Sequence, residues 1–296
     1  MKVANNILYK VLSFACALML IVACNDDTTF TGEGETVPVT FHPTMVGTRT
    51  IGDAANIDKL TVVAYEGNDE KLRISQDWAT AQLQGVTLTL LKGVEYNILL
   101  WAECSDNSAY TISENCWIKA DYTAYLNATP AKMEQLDAFC ATATVTVGYM
   151  NKEVKDAELS RPFAQLNFLD KSVAPTQGVH KAEVTFHTIP TAFNPFTGEV
   201  ETTDSSNDAD DITFVFGEFS NETLNIDGKE HYYIASNYLF ASGTEETTVE
   251  ATIAMPFQNV TPIKTFVFKE QTAIMLGTNK RTNVIGTFLT PYNPAP

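Results

Sequence analysis

The stretch "GVTLTLLKGVEYNILLWAEC" (Gly85–Cys104) decides the fold. Both halves read as strands, rich in β-branched, aromatic and leucine side chains, and Lys92-Gly93-Val94 between them suits a hairpin. Upstream, "TVPVTFH" (Thr36–His42) alternates apolar and polar positions, and "IDKLTVVAYE" (Ile57–Glu66) is a strand dominated by β-branched residues. Downstream come "ATATVTVGYM", "AELSRPFAQLNFL", "VHKAEVTFHTIP", "DITFVFGEF", "EHYYIASNYLFAS", "TTVEATIAM", "KTFVFKE" and "RTNVIGTFLT". About a dozen strands separated by Gly, Asn, Asp and Pro argue for an all-β chain of antiparallel sandwiches rather than βαβ units. Two segments invite a helix. "SQDWATAQL" (Ser75–Leu83) is short, and "TPAKMEQLDAF" (Thr129–Phe139) offers Thr129 as N-cap and Pro130 at the first helical position.

The N-terminal residues have a different character. Between Val11 and Ala23 there is no charge, Lys2 and Lys10 precede that run, and Asp26 and Asp27 follow it closely. Thirteen apolar or small residues fall short of the roughly 20 that a spanning helix needs. They suit the apolar region of a secretory signal. Leu20-Ile21-Val22-Ala23-Cys24 then resembles a bacterial lipobox. This implies cleavage before Cys24 and lipid attachment to it, with an outer-membrane lipid anchor as the expected location. Asn25-Asp26-Asp27 resembles the acidic export signal of surface lipoproteins in Bacteroidales, which implies exposure at the cell surface, with periplasmic retention as the alternative. The expected organisation is a signal peptide over 1–23, a flexible tether over 24–35, an N-terminal sandwich over 36–169 and a C-terminal sandwich over 170–296. The boundary rests on "DKSVAPTQG", a polar stretch with Pro and Gly.

Without residues 1–23 the chain has 273 residues, with 17 basic against 36 acidic side chains, a net charge of −19. A surface this acidic repels phosphate backbones, so no nucleic-acid partner is expected. Besides Cys24, the mature chain has Cys104, Cys116 and Cys140. Either Cys104 and Cys116 pair across a loop, or all three are buried thiols behaving as small apolar side chains. His42, His180, His187 and His231 show no metal-site spacing, and neither a nucleophile elbow nor a phosphate loop occurs. No catalytic residue, cofactor or metal is expected. Asp204, Asn207, Asp208, Asp210 and Asp211 supply oxygen ligands suited to Ca²⁺, but without the glycine and terminal Glu of an EF-hand loop. Trp78, Trp101, Trp117, Tyr232, Tyr233 and Tyr238 would make a sugar-stacking platform if exposed together, and Trp78 and Trp117 are the better surface candidates.

Several segments, in order, resemble fimbrillin-like lipoproteins of Bacteroidales: "LLKGVEYNILLWAEC", "LDAFCATATVTV", "ELSRPFAQLNF", "YYIASNYLFA" and "NKRTNVIGTFLT". The resemblance spans about Val37 to Thr290, in the branch of that superfamily with no assigned individual function. It implies two transthyretin-like sandwiches and a non-enzymatic role as fimbrial structural, anchor or adhesive subunit. The implied partners are other fimbrial subunits and a host or bacterial surface receptor. In polymerising fimbrillins an N-terminal strand is released by cleavage after an arginine, and a strand from the next subunit fills the groove. Arg49 is the matching position, unless it is a solvated loop residue of a permanently anchored protein. Pro38 places the strand Val37–Phe41 at a sheet edge or at its own first residues. The alternative function is glycan capture for a polysaccharide uptake system.

Overall fold

The computed structural model describes residues 34–46, 54, 56–107, 109–148, 153–171, 181–203, 210–216, 223–243, 245–255 and 264–289. Cys24, Arg49, His180 and most of the expected tether, linker and acidic loop lie outside them. The earlier elements are β1 (Thr36–Met45), β2 (Lys59–Glu66), β3 (Asp69–Asp77), α1 (Trp78–Gln84), β4 (Val86–Leu91), β5 (Glu95–Glu103), β6 (Tyr110–Ile112), β7 (Ile118–Ala120), α2 (Pro130–Met133), β8 (Ala138–Thr146) and β9 (Glu153–Leu159). The later ones are β10 (Phe163–Asp170), β11 (Ala182–Phe186), β12 (Pro190–Phe193), β13 (Val200–Thr202), β14 (Ile212–Phe216), β15 (Thr223–Ile226), β16 (Lys229–Phe240), β17 (Thr247–Val249), β18 (Ala251–Met255), β19 (Lys264–Phe268), β20 (Ile274–Leu276) and β21 (Lys280–Gly286).

The earlier strands form two sheets, β4-β1-β9 and β3-β2-β5-β8. The later ones build β15-β16-β10-β21, β14-β11-β18-β19 and the pair β17-β20, while β13-β12-β7-β6 joins strands from both halves. Pairing is antiparallel except for two ladders. β1 runs parallel to β9, and β10 runs parallel to β21.

The stretch Gly85–Cys104 gives the two expected strands but not the expected hairpin. β4 pairs with β1, and β5 pairs with β2 and β8, so Lys92–Val94 is a crossover from one sheet to the other. The reason is where the backbone groups go. The Lys92 amide donates to Glu35 O, the Gly93 amide to Val147 O, and the Val147 amide to Val94 O. Gly93 has φ +79, a conformation that glycine adopts without steric cost. Val86, Leu88 and Leu90 therefore enter one core from one sheet, while Tyr96, Ile98 and Leu100 enter it from the other.

Alternation divides the buried side chains of β2 and β5 between two cores. Leu60, Val62, Ala64, Ile98 and Leu100 face the β4-β1-β9 sheet, closed at one end by Trp78 and Ala81 of α1. Val63, Tyr65, Leu99 and Trp101 face the other way and join a larger cluster with the later strands. There Phe163 stacks on Phe240 at 4.9 Å, and Trp101 meets Phe163 edge-on at 6.1 Å. Both helices are short, the second covering only Pro130–Met133 of the expected segment, and a side chain caps the start of each. The Asp77 carboxylate accepts from the Thr80 amide at 2.9 Å, and Thr129 Oγ1 from the Lys132 amide at 3.3 Å.

The chain leaves the first core at Leu159 and enters the second at Phe163, so the "AELSRPFAQLNF" segment is divided between β9 and β10. Arg161 lies between them. It is 1% exposed, donates from Nε and Nη2 to the Asp137 carboxylate at 2.5 and 2.6 Å, and lies 4.6 Å over the Phe139 ring. Gly32–Pro296 forms one compact unit.

Candidate functional site

β1 is an inserted strand. Val37, Val39 and Phe41 alternate with polar or proline positions, and all three are buried in the first core. Residues Thr36–Phe41 form an antiparallel ladder with β4, and Val39–Met45 a parallel ladder with β9. The strand is central only over Val39–Phe41, and Pro38 falls among its first residues, one of the two placements expected for it. Pro38 precedes the β9 ladder, where β1 has β4 as its one paired neighbour, so its missing N–H breaks no ladder with β9. Past Phe41 the β4 ladder stops. There Gly85, at φ +75, lets the backbones close up: a Cβ at that position would lie 2.8 Å from Phe41 O.

On the face of β5 turned away from this groove, one buried carboxylate is paired. Glu103 is buried at the end of β5, accepting from Trp101 Nε1 at 2.8 Å and Lys59 Nζ at 3.2 Å. Burial pushes its carboxyl above the ordinary glutamate range, while the Trp101 and Lys59 bonds pull it back. Cys104, Cys116 and Cys140 are separate thiols, so the Cys104–Cys116 bridge is not formed. Cys116 turns into the second core from a φ +70 backbone, while Cys104 belongs to neither cluster. Burial raises all three thiols, that of Cys140 to about 12, so they are poor nucleophiles at neutral pH.

The aromatic platform does not assemble among the described residues. Trp101 and Tyr238 are fully buried, Trp78 and Tyr233 nearly so, and Trp78 plugs the first core instead of facing solvent. Trp117 is half-buried and lines a cavity with Glu199, Glu201, Glu245 and Glu246, apart from the other aromatics named. The proposed Ca²⁺ loop is described only at Asp210 and Asp211, and no metal-type grouping occurs among the described residues.

One polar constellation escapes sequence reading altogether. His187 Nδ1 lies 2.9 Å from Asp211 Oδ2, and Nε2 lies 2.8 Å from Thr252 Oγ1. Those residues lie on or beside β11, β14 and β18, with no telling spacing along the chain. The line carboxylate–imidazole–hydroxyl matches an activated nucleophile in outline. However, Thr252 sits mid-strand, paired with Thr185 on one side and Val267 on the other. The strand backbone there is committed to ladders, so the trio reads as a clamp across three strands.

An all-β protein whose first strand completes a sandwich between two others is the class that this fold and groove define. The chain belongs to the family of unknown function DUF6562, which matches residues 32–294. No curated protein matches it. Among solved structures it is similar to a candidate adhesin from Bacteroides ovatus, at 11% identity over 84% of this chain and 87% of that one, with a TM-score of 0.51. It is also similar to the fimbrial anchor protein Mfa2 from Porphyromonas gingivalis, at 13% identity over 84% and 90% of the chains and a TM-score of 0.48. A candidate polysaccharide-binding protein from Bacteroides thetaiotaomicron gives 10% identity over 74% and 76%, with a TM-score of 0.44.

Proposed function

We propose that this chain is a non-enzymatic cell-surface lipoprotein, anchored in the outer membrane through Cys24, that serves as a fimbrial structural, anchor or adhesive subunit. The observation that carries this reading is β1. A strand that fills a groove between β4 and β9, and whose last residue stands four positions before Arg49, is built to be exchanged once the chain is cut there. An empty groove would expose unpaired backbone groups on both walls, and a strand from another subunit would satisfy them. The fold likeness to the Bacteroides ovatus protein agrees with this reading. The lipobox-like Leu20–Cys24 supplies the tether, and a surface receptor is a partner compatible with it. Glycan capture draws no support from the aromatics, which do not converge.

Limited trypsin digestion of the purified protein, followed by N-terminal sequencing and sizing, tests the proposal. Cleavage after Arg49 with growth of higher oligomers is expected. A chain cut there that stays monomeric after β1 has been removed overturns strand exchange. Membrane fractionation of Cys24→Ala tests the anchor separately, because stable attachment takes more than one acyl chain.

A further inference from the structure

A second strand-sized opening lies away from β1. Among the described residues β8 has one ladder neighbour, β5, and β9 has one, β1. The free edges of these strands face each other, joined by one bridge. The Cys140 amide donates to Ser160 O and the Ser160 amide to Cys140 O, each at 2.9 Å. Beyond it the strands splay. The far end closes where the Gly148 amide donates to Glu153 Oε1 at 2.7 Å. Beside the bridge lies a cavity of about 370 Å³, walled by Ala141, Ala143 and Ala157 and, from the later half of the chain, by Phe193, Pro195 and Thr278.

Strand alternation fixes what this opening presents. Since Cys140 and Ser160 point their backbone groups across the seam, Thr142 and Thr144 on β8, and Asp156 and Glu158 on β9, do the same. These four carry no ladder bond across it. Their side chains point outward and are exposed. On the inward side the small Ala141 and Ala143 stand opposite Leu100 and Ile98 and are partly buried, so the first core is thinly covered here. At the closed end Arg161 lines the cavity, and its Nη1 is buried with no acceptor. Paired backbone is the rule in folded proteins, and a buried guanidinium nitrogen without a partner is costly.

We propose that the seam between β8 and β9 is a second strand-docking site, which receives an extended peptide segment with small apolar side chains inward and basic side chains outward. Inward residues of that segment cover Ala141, Ala143 and Ala157. Outward lysine or arginine lies beside Asp156 and Glu158, with the threonines of β8 on the other flank. The mode is addition of a strand to open sheet edges. The site is distinct from the β1 groove and needs no cleavage, its β9 wall being held in place by β1.

The probe is a synthetic peptide, KVKAKVTA, added to the full chain at up to millimolar concentration with amide hydrogen exchange as readout. Exchange at Thr142, Thr144, Asp156 and Glu158 should slow at least tenfold, with the β4 amides unchanged. Thr142→Pro removes one seam amide at an edge position and should abolish the protection without moving the urea midpoint. Asp156→Lys with Glu158→Lys should transfer preference to EVEAEVTA, a result that does not depend on the proline variant folding. Equal protection by both peptides on the unaltered chain would overturn the proposal. So would unchanged seam exchange at the highest concentration. Slowing confined to β4 would place the peptide in the β1 groove and overturn it as well.

Discussion

Removing β1 is the perturbation whose size follows most directly from the structure. Val37, Val39 and Phe41 are 3%, 0% and 0% exposed. At about 2 kcal/mol for each fully buried side chain, their burial comes to roughly 6 kcal/mol. A whole domain is stable by only about 5–15 kcal/mol, so a chain lacking residues 25–45 should not keep the first core closed. Two ladders are lost as well, one with β4 and one with β9. The assay is urea unfolding together with hydrogen exchange at β4 and β9. The deleted chain should show a lower midpoint and fast exchange on both groove walls. A peptide copying Thr36–Met45 should restore both. A shorter peptide copying Thr36–Phe41 should protect β4 well and β9 poorly, because Pro43, Thr44 and Met45 have partners on β9 alone. If the deleted chain unfolds at the same urea concentration and ignores both peptides, β1 is not what closes the groove.

Three further outcomes are expected. Asp137→Ala leaves Arg161 buried without its carboxylate and should cost about 3–5 kcal/mol in urea unfolding, whereas Asp137→Leu with Arg161→Met should recover most of it. Because burial raises the folded-state pKa of Glu103, the native protein holds that proton more tightly than the unfolded chain does. Stability should therefore fall as pH rises from the ordinary glutamate value through the raised one, and Glu103→Gln should flatten this slope in a series of urea midpoints. Peptide mapping of the unreduced protein should find Cys104, Cys116 and Cys140 all as thiols, each alkylated slowly until the chain is unfolded.

The strands were legible because their signal is local. Alternation in Thr36–His42 and β-branched density in Ile57–Glu66 specify extended backbone wherever the partners lie. Partner choice is not local. Lys92-Gly93-Val94 has the length of a hairpin turn, and only the bonds to Glu35 and Val147 make it a crossover. Pro38 correctly marked a stretch with one paired neighbour, but the β9 ladder beyond it joins residues over a hundred positions apart. The His187–Asp211–Thr252 line and the Arg161–Asp137 pair stayed hidden for the same reason. Each member reads as an ordinary polar residue until the sheets bring them together. The inward alanines of β8 looked like unremarkable strand filler, and they acquire meaning only beside an unpaired edge.

The two parallel ladders also bear on how the molecule would carry tension. In β1 and β9 the chain enters at the start of one strand and leaves at the end of its parallel mate, and β10 with β21 repeats that arrangement. A pull along the chain drags each pair lengthwise past one another. The rungs of a ladder then resist together, whereas strands peeled apart from one end give way rung by rung. For a protein tethered at its N-terminal side and loaded further along, β1–β9 and β10–β21 are two shear joints in series. Cutting the chain just beyond β1 would leave its ladders with β4 and β9 as the sole link between the tether and the rest, so the first joint would carry the whole load.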